Sequence, residues 1–284
     1  MHNNCSTFLE SNQMKKLSAF LASVTLLFLF LHLTSFAQDK FTVIKVSGNI
    51  VIQRTGSQLN IGTAFSQNED LVFKSAVSRA AVINPQRGRY LLTADNSSEF
   101  INSKSVFLPS SGKISARGGN AILSANDLKN YFEGNYVIFD KIKIKINPEI
   151  FPMNGKKYFY IRYQYKNETI NKKLSFNADT LFITKNELLT VDGKQIPNPE
   201  ITEMKLMYME EGEKYVSTPI CAFTPVFPDF DQMKQEIKII IDQMKDKTYI
   251  QKLNEISSYI NDFYGKPEET NLKSWLNENF GLKE

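Results

Sequence analysis

The sequence predicts a mainly β protein with a C-terminal helical segment: a small β module, then a β-sandwich, then about three amphipathic helices. Three observations carry this. From Phe41 to Phe223, short apolar runs alternate with polar residues between Gly, Pro and Asn/Asp turn signals. From Pro228 onward the apolar spacing changes to that of a helix. Ahead of both, residues 1–37 read as an export signal and not as part of the fold.

The export signal has three parts. Met14-Lys15-Lys16 opens a basic region, Leu17 to Leu33 carries no charge, and Ser35-Phe36-Ala37 places small residues at both outer positions. This arrangement predicts a secretory signal peptide cleaved after Ala37, with residues 1–13 as an upstream extension. An uncleaved anchor is the competing reading, because the apolar run approaches the ~18–20 residues that span a bilayer. The expected location is the periplasm or cell surface, with membrane contact only through this segment if it is retained.

Removing residues 1–37 removes His2, His32 and Cys5, leaving no histidine and one cysteine, Cys221. Ser-His-Asp and Cys-His nucleophile pairs are thereby excluded, as are His-based or multi-Cys zinc sites. No intramolecular disulfide can form, so the remaining ~247 residues must rest on their core. An exported chain without disulfides fits a bacterial envelope better than eukaryotic secretion. Loss of Lys15, Lys16 and Glu10 moves the net charge only from +4 to +3. The positive charges are dispersed, so no nucleic-acid partner is expected. No P-loop or dinucleotide fingerprint is present, and no cofactor is expected.

Residues 38–110 form the first β module. Phe41 to Ser47 alternates and meets Gly48, and Ile50-Val51 leads to a turn at Arg54-Thr-Gly-Ser57. Leu71–Phe73, Ala80–Ile83 and Tyr90–Leu92 are further short strands, broken by Asn84-Pro85 and Gly88. Residues 111–134 are a connector: glycine punctuation at Gly112 and Gly118-Gly119, then a short helix capped by Ser124, with Asp127 at its third position.

Residues 135–227 carry about seven strands. Lys141 to Ile146 alternates strictly, Phe159, Ile161, Tyr163 and Tyr165 alternate with Tyr160, Arg162 and Gln164, and Asp192-Gly193 marks a turn. Short strands with turns every 8–15 residues predict a sandwich of immunoglobulin-like size, although the Cys-Trp-Cys marker of true immunoglobulin domains is absent. Residues 228–284 hold three helical stripes: Met233, Ile237, Ile240, Ile241 and Met244; Ile250, Leu253, Ile256, Ile260 and Phe263; and Leu272, Trp275, Leu276 and Phe280. Gly265 stands where a C-terminal cap is expected.

The first module has a recognisable layout. Gly48-Asn-Ile-Val51 is followed by Leu59-Asn-Ile-Gly62, Asp70-Leu-Val-Phe73, Ser75, Ser78-Arg-Ala-Ala-Val82, and Gly88 before Tyr90-Leu-Leu92. This pattern, over roughly 55 residues, resembles the FecR-like domain. It departs from that pattern at Gln67-Asn68-Glu69 and in the longer hairpin Asn84-Pro85-Gln86-Arg87. The resemblance implies a small β-fold used for protein contact in envelope signalling, with no catalytic residue.

Several residues invite a chemical reading beside a plain one. Ser78 has Lys74 four residues away as a conceivable base, but turn hydrogen bonds from Ser75 and Ser78 explain both serines. Asp229 and Asp231 precede a helix, where capping and the helix dipole call for acids. Cys221 reads as a buried thiol and Trp275 as core. Arg87 and Arg89, flanking Gly88 at a hairpin tip, are candidate partner contacts. Tyr158, Tyr160 and Arg162 are a second candidate surface, because strand alternation places Tyr158 and Tyr160 on the face opposite Tyr163 and Tyr165.

The resulting expectation is a non-enzymatic exported protein of a bacterial envelope that mediates protein–protein contact in signalling or assembly, its partner an envelope protein. A glycan- or small-ligand-binding module using exposed aromatics is the alternative. A carboxylate-dependent hydrolase, with two carboxyl groups about 5–9 Å apart in a cleft, is a third class.

Overall fold

The computed structural model describes residues 40–66, 69–93, 124–196 and 200–284. The expected signal peptide and cleavage site, His2, Cys5, His32, and the glycine-rich part of the expected connector lie outside the described residues. The chain is mainly β, with five helices among the described residues, the last three at the C-terminus. It divides into two compact units, one up to residue 105 and one from residue 106.

The first unit holds β1 (Lys40–Ser47), β2 (Ile50–Ile52), β3 (Ala64–Ser66), β4 (Leu71–Phe73), β5 (Arg79–Asn84) and β6 (Gly88–Thr93). Four of these form a sheet in the order β3-β1-β5-β6, and β2 pairs with β4. All the β1, β5 and β6 pairings are antiparallel, with a bulge in β1 between Val43 and Lys45. Phe41, Val43, Ile50, Ile52, Leu59, Phe65, Ala80, Val82 and Leu92 make the core. Five consecutive residues of β5, Ala80–Asn84, are buried, so this strand is covered on both faces.

The second unit opens with α1 (Ala125–Tyr131), capped as its sequence predicts: the Ser124 hydroxyl accepts from the Asp127 amide. Ten strands follow among the described residues, against the seven expected: β7 (Asn135–Val137), β8 (Lys141–Lys145), β9 (Lys157–Tyr165), β10 (Glu168–Lys173), β11 (Phe176–Asn177), β12 (Thr180–Thr184), β13 (Thr190–Val191), β14 (Lys194–Gln195), β15 (Met204–Glu211) and β16 (Tyr215–Val226). The surplus comes from very short strands. β11, β13 and β14 have two residues each, too few to show a period.

A five-stranded sheet, β10-β9-β15-β16-β7, and a three-stranded sheet, β11-β12-β8, share one core. Phe159, Ile161, Tyr163, Leu206 and Tyr208 come from the first sheet, and Ile142, Ile144, Leu181 and Ile183 from the second. Their alternating partners face outward, which is why β8 reads Lys-Ile-Lys-Ile-Lys with only the isoleucines buried. β7 joins β16 in parallel and reaches only Thr224–Val226. The first half of β16 therefore has β15 on one side and no strand on the other among the described residues.

The C-terminal stripes form helices: α3 (Phe230–Gln243), α4 (Tyr249–Phe263) and α5 (Glu269–Phe280), with a four-residue α2 (Lys185–Leu188) earlier in the unit. Each buries its apolar stripe: Met233, Ile237 and Ile240; Leu253, Ile256 and Ile260; Leu272, Trp275 and Leu276. The helices are tied to the sheets by polar bonds. Asn271 Oδ1 accepts from the Lys143 amide on the free edge of β8, and its Nδ2 donates to Tyr131 Oη and Glu268 Oε2. Lys266 bonds Asn135 through its backbone and Asn130 through its Nζ.

Candidate functional site

The strongest candidate surface is the outer face of the five-stranded sheet. Alternation along β9 turns Phe159, Ile161 and Tyr163 into the core and Tyr158, Tyr160 and Arg162 outward. Register then brings their neighbours. Arg162 stands opposite Asn171 on β10 and Lys205 on β15, and Tyr160 stands opposite Lys173 and Met207. A hydrogen-bonded row crosses the sheet. Arg162 Nε donates to Asn171 Oδ1 at 2.9 Å, Arg162 Nη2 donates to Tyr160 Oη at 3.0 Å, and Tyr160 Oη shares a 2.6 Å bond with Ser217 Oγ on β16. To reach β16 the Tyr160 side chain crosses β15 at Met207, itself 5% exposed.

This row corrects the expected exposure of the tyrosine pair. Tyr160 points outward yet is only 4% exposed, because Arg162, Met207 and Ser217 surround its ring and hydroxyl. Tyr158 is half-buried. Lys173 Nζ lies 3.7 Å from the centre of its ring, the diagonal cross-strand position, and its hydroxyl donates to Glu211 at 2.8 Å. That bond to a carboxylate raises the Tyr158 phenol above its ordinary range, with smaller contributions from burial and the Glu211 charge. On the opposite face of the same strands, Lys157 and Glu210 pair at 2.7 Å.

Arg87 and Arg89 lie in the first unit and are not part of this face. Asn84 builds their hairpin: its Oδ1 accepts from the Gln86 and Arg87 amides, and its Nδ2 donates to the Lys40 carbonyl. Both arginines are part-exposed, Arg87 in the turn and Arg89 opposite Ile83 on β6.

The first unit also has a shallow cleft of about 420 Å³ lined by Gln53, Arg54, Ser66, Glu69 and Asp70. Arg54 grips Glu69 through two bonds, of 2.6 and 3.2 Å, and the hydrogen bond holds the Glu69 carboxyl below its ordinary range. Two carboxylates line this cleft, but one is committed to Arg54. Sequence reasoning missed the pair, since fifteen residues separate its members and only the β2–β4 pairing brings them together.

The other singled-out groups have structural roles. Ser78 is 1% exposed; its hydroxyl accepts from the Asn49 amide and lies 3.0 Å from Ser75 Oγ. Asp229 caps α3 by accepting from the Asp231 and Gln232 amides. Cys221 is buried, and burial pushes its thiol up to about 12. Trp275 packs against Phe139, Phe230 and Phe280. Among the described residues no three His, Cys, Asp or Glu side chains come together as around a metal ion, and no helix is long and apolar enough to cross a membrane.

The outer face contains residues that sequence alone did not select: Asn171, Met207, Glu211 and Ser217. Their only signal is cross-strand register: the β9–β10 pairing for Asn171, and the pairing of β15 with both neighbours for the others. No family model matches the chain, and no curated protein or solved structure matches it.

Proposed function

We propose that this chain is an exported bacterial envelope protein that works by protein–protein contact, with a FecR-like first unit and an immunoglobulin-like second unit. The observation that carries the reading is the cross-sheet row Asn171–Arg162–Tyr160–Ser217 with Tyr158 beside it. Amphipathic tyrosines and an arginine, held in place before any partner arrives, lower the ordering cost of association. The FecR-like reading is supported by the backbone. The motif glycines Gly48, Gly62 and Gly88 take φ of 80°, 82° and 81°, a region that side chains disfavour. Two sheets around one core support the sandwich.

A glycan platform needs open aromatic faces. Lys173 covers the ring of Tyr158, and Tyr160 is buried, so neither candidate tyrosine offers one. A carboxylate-dependent hydrolase needs two convergent carboxyl groups in a cleft, and of the two that line the first unit's cleft Glu69 is held by Arg54.

The test is a photo-crosslinking residue placed at Tyr158 in cells, with Lys238 on α3 as the control position. The expected product is a discrete adduct with one envelope protein, formed from position 158 and not from 238, and lost with Arg162→Ala. An adduct holding only oligosaccharide, or only copies of this chain, overturns the reading.

A further inference from the structure

Among the described residues, the five-stranded sheet has two very different edges. β10 carries Glu168, Lys172 and Lys173, and Lys172 Nζ donates to the Thr190 carbonyl, so this edge is charged and partly covered. Such charges are the usual defence against edge-to-edge pairing. The other edge is the first half of β16, Tyr215-Val-Ser-Thr-Pro219, five consecutive residues without a charge. All five are exposed, Tyr215 by 77% and Val216 by 50%. Odd residues share the outer face with Met209 and Met207, and even residues the inner one with Tyr208 and Glu210. Exposure on both faces means the core stops short of this segment. Its β15 ladder holds it, and its outer backbone edge carries no other strand among the described residues.

We propose that this edge pairs antiparallel with the same strand of a second copy, joining two five-stranded sheets into one continuous sheet across a two-fold axis at Ser217. The segment is its own suitable partner. Around that axis Tyr215 faces Pro219 of the second copy and Val216 faces Thr218, an aromatic–proline and a β-branched pair, and no like charges meet. Lys214 falls opposite Ile220, at the margin. Pro219, which has no N–H, and the bulge between its pairing and that of Cys221 set the end of the paired stretch. This assembly shares only Ser217 with the row beside Tyr158: it uses the backbone edge of β16, whereas the partner contact uses the sheet face.

Sedimentation velocity of the purified protein, expressed from its full sequence, tests it between about 1 and 100 µM. A concentration-dependent dimer is expected. Val216→Lys and Thr218→Glu, both at exposed positions, should each weaken it by at least ~10-fold with unchanged circular dichroism and melting. Mixing V216K with T218E should restore a heterodimer, since the axis brings those two positions face to face. A monomer throughout the range, or a dimer indifferent to both substitutions, overturns the proposal.

Discussion

Gly48 and Ser78 are fitted to each other: a β-carbon on Gly48 would lie 2.5 Å from Ser78 Oγ, and Gly48 itself takes a φ of +80°. The Ser78 hydroxyl in turn holds the Asn49 amide. Gly48→Ala should therefore destabilise the protein by at least ~2 kcal/mol, combining left-handed strain with the clash. Adding Ser78→Ala should recover only a small part of the loss: it removes the nearest atom, but the strain, the Ser78 Cα and Cβ at 3.0 and 3.1 Å, and an Asn49 amide deprived of its bond all remain. Thermal unfolding of the two variants measures this, and a neutral G48A would show that the contact does not matter.

Asn271 gathers three elements of the second unit through the Lys143 amide, Tyr131 and Glu268. Asn271→Ala leaves a strand amide and a half-buried phenol each one partner short, so a loss of ~1–2 kcal/mol is expected in urea unfolding. Asn271→Asp keeps the acceptor but sets a second carboxylate beside Glu268. Its penalty should shrink as the pH falls through the carboxylate range. Losses under ~0.5 kcal/mol for N271A would contradict this account.

Tyr163 and Tyr208 are both pushed up to about 12, mainly by burial, from an ordinary value of 10. The fold favours their neutral form. Their contribution is complete below pH 10 and is lost between pH 10 and about 12, where the unfolded chain ionises first. Urea midpoints should fall across that window, less steeply in the Tyr163→Phe/Tyr208→Phe double variant. Equal slopes would assign alkaline unfolding to other groups. Y163F also loses the bond to the Leu188 carbonyl, so its stability at pH 7 should drop by ~1 kcal/mol.

The Cys221 thiol is 9% exposed and pushed up to about 12. Alkylation by iodoacetamide at pH 8 should be at least ~100-fold slower in the folded protein than in urea. Peptide mapping by mass spectrometry separates this label from any on Cys5. Rapid labelling of Cys221 in the native state would mean that β16 opens readily.

Much of this fold is legible in local sequence. Asp192-Gly193 reads as a turn, and both residues take positive φ, 49° and 73°. Ser124 and Asp229 read as caps, and each accepts the expected amides. The three C-terminal helices follow from their apolar stripes. What sequence did not disclose is set by distant pairing. β7 joins β16 across some ninety residues, and no local pattern announces a parallel partner. Tyr160 shows the same limit at the candidate site. Its position on the strand predicts exposure, and only register reveals that Arg162, Met207 and Ser217 enclose it.

The Asn271 junction has a consequence for how the chain is made. Its bonds to Lys143 and Tyr131 span 128 and 140 positions of sequence, and Lys266 reaches back 136 to Asn130. A chain synthesised from its N-terminus cannot close the second unit until nearly all of it has been delivered. Whatever machinery handles the growing polypeptide meets this unit as an open thread, with the first unit already able to form. Deleting the last twenty residues would leave the second unit without its clasp.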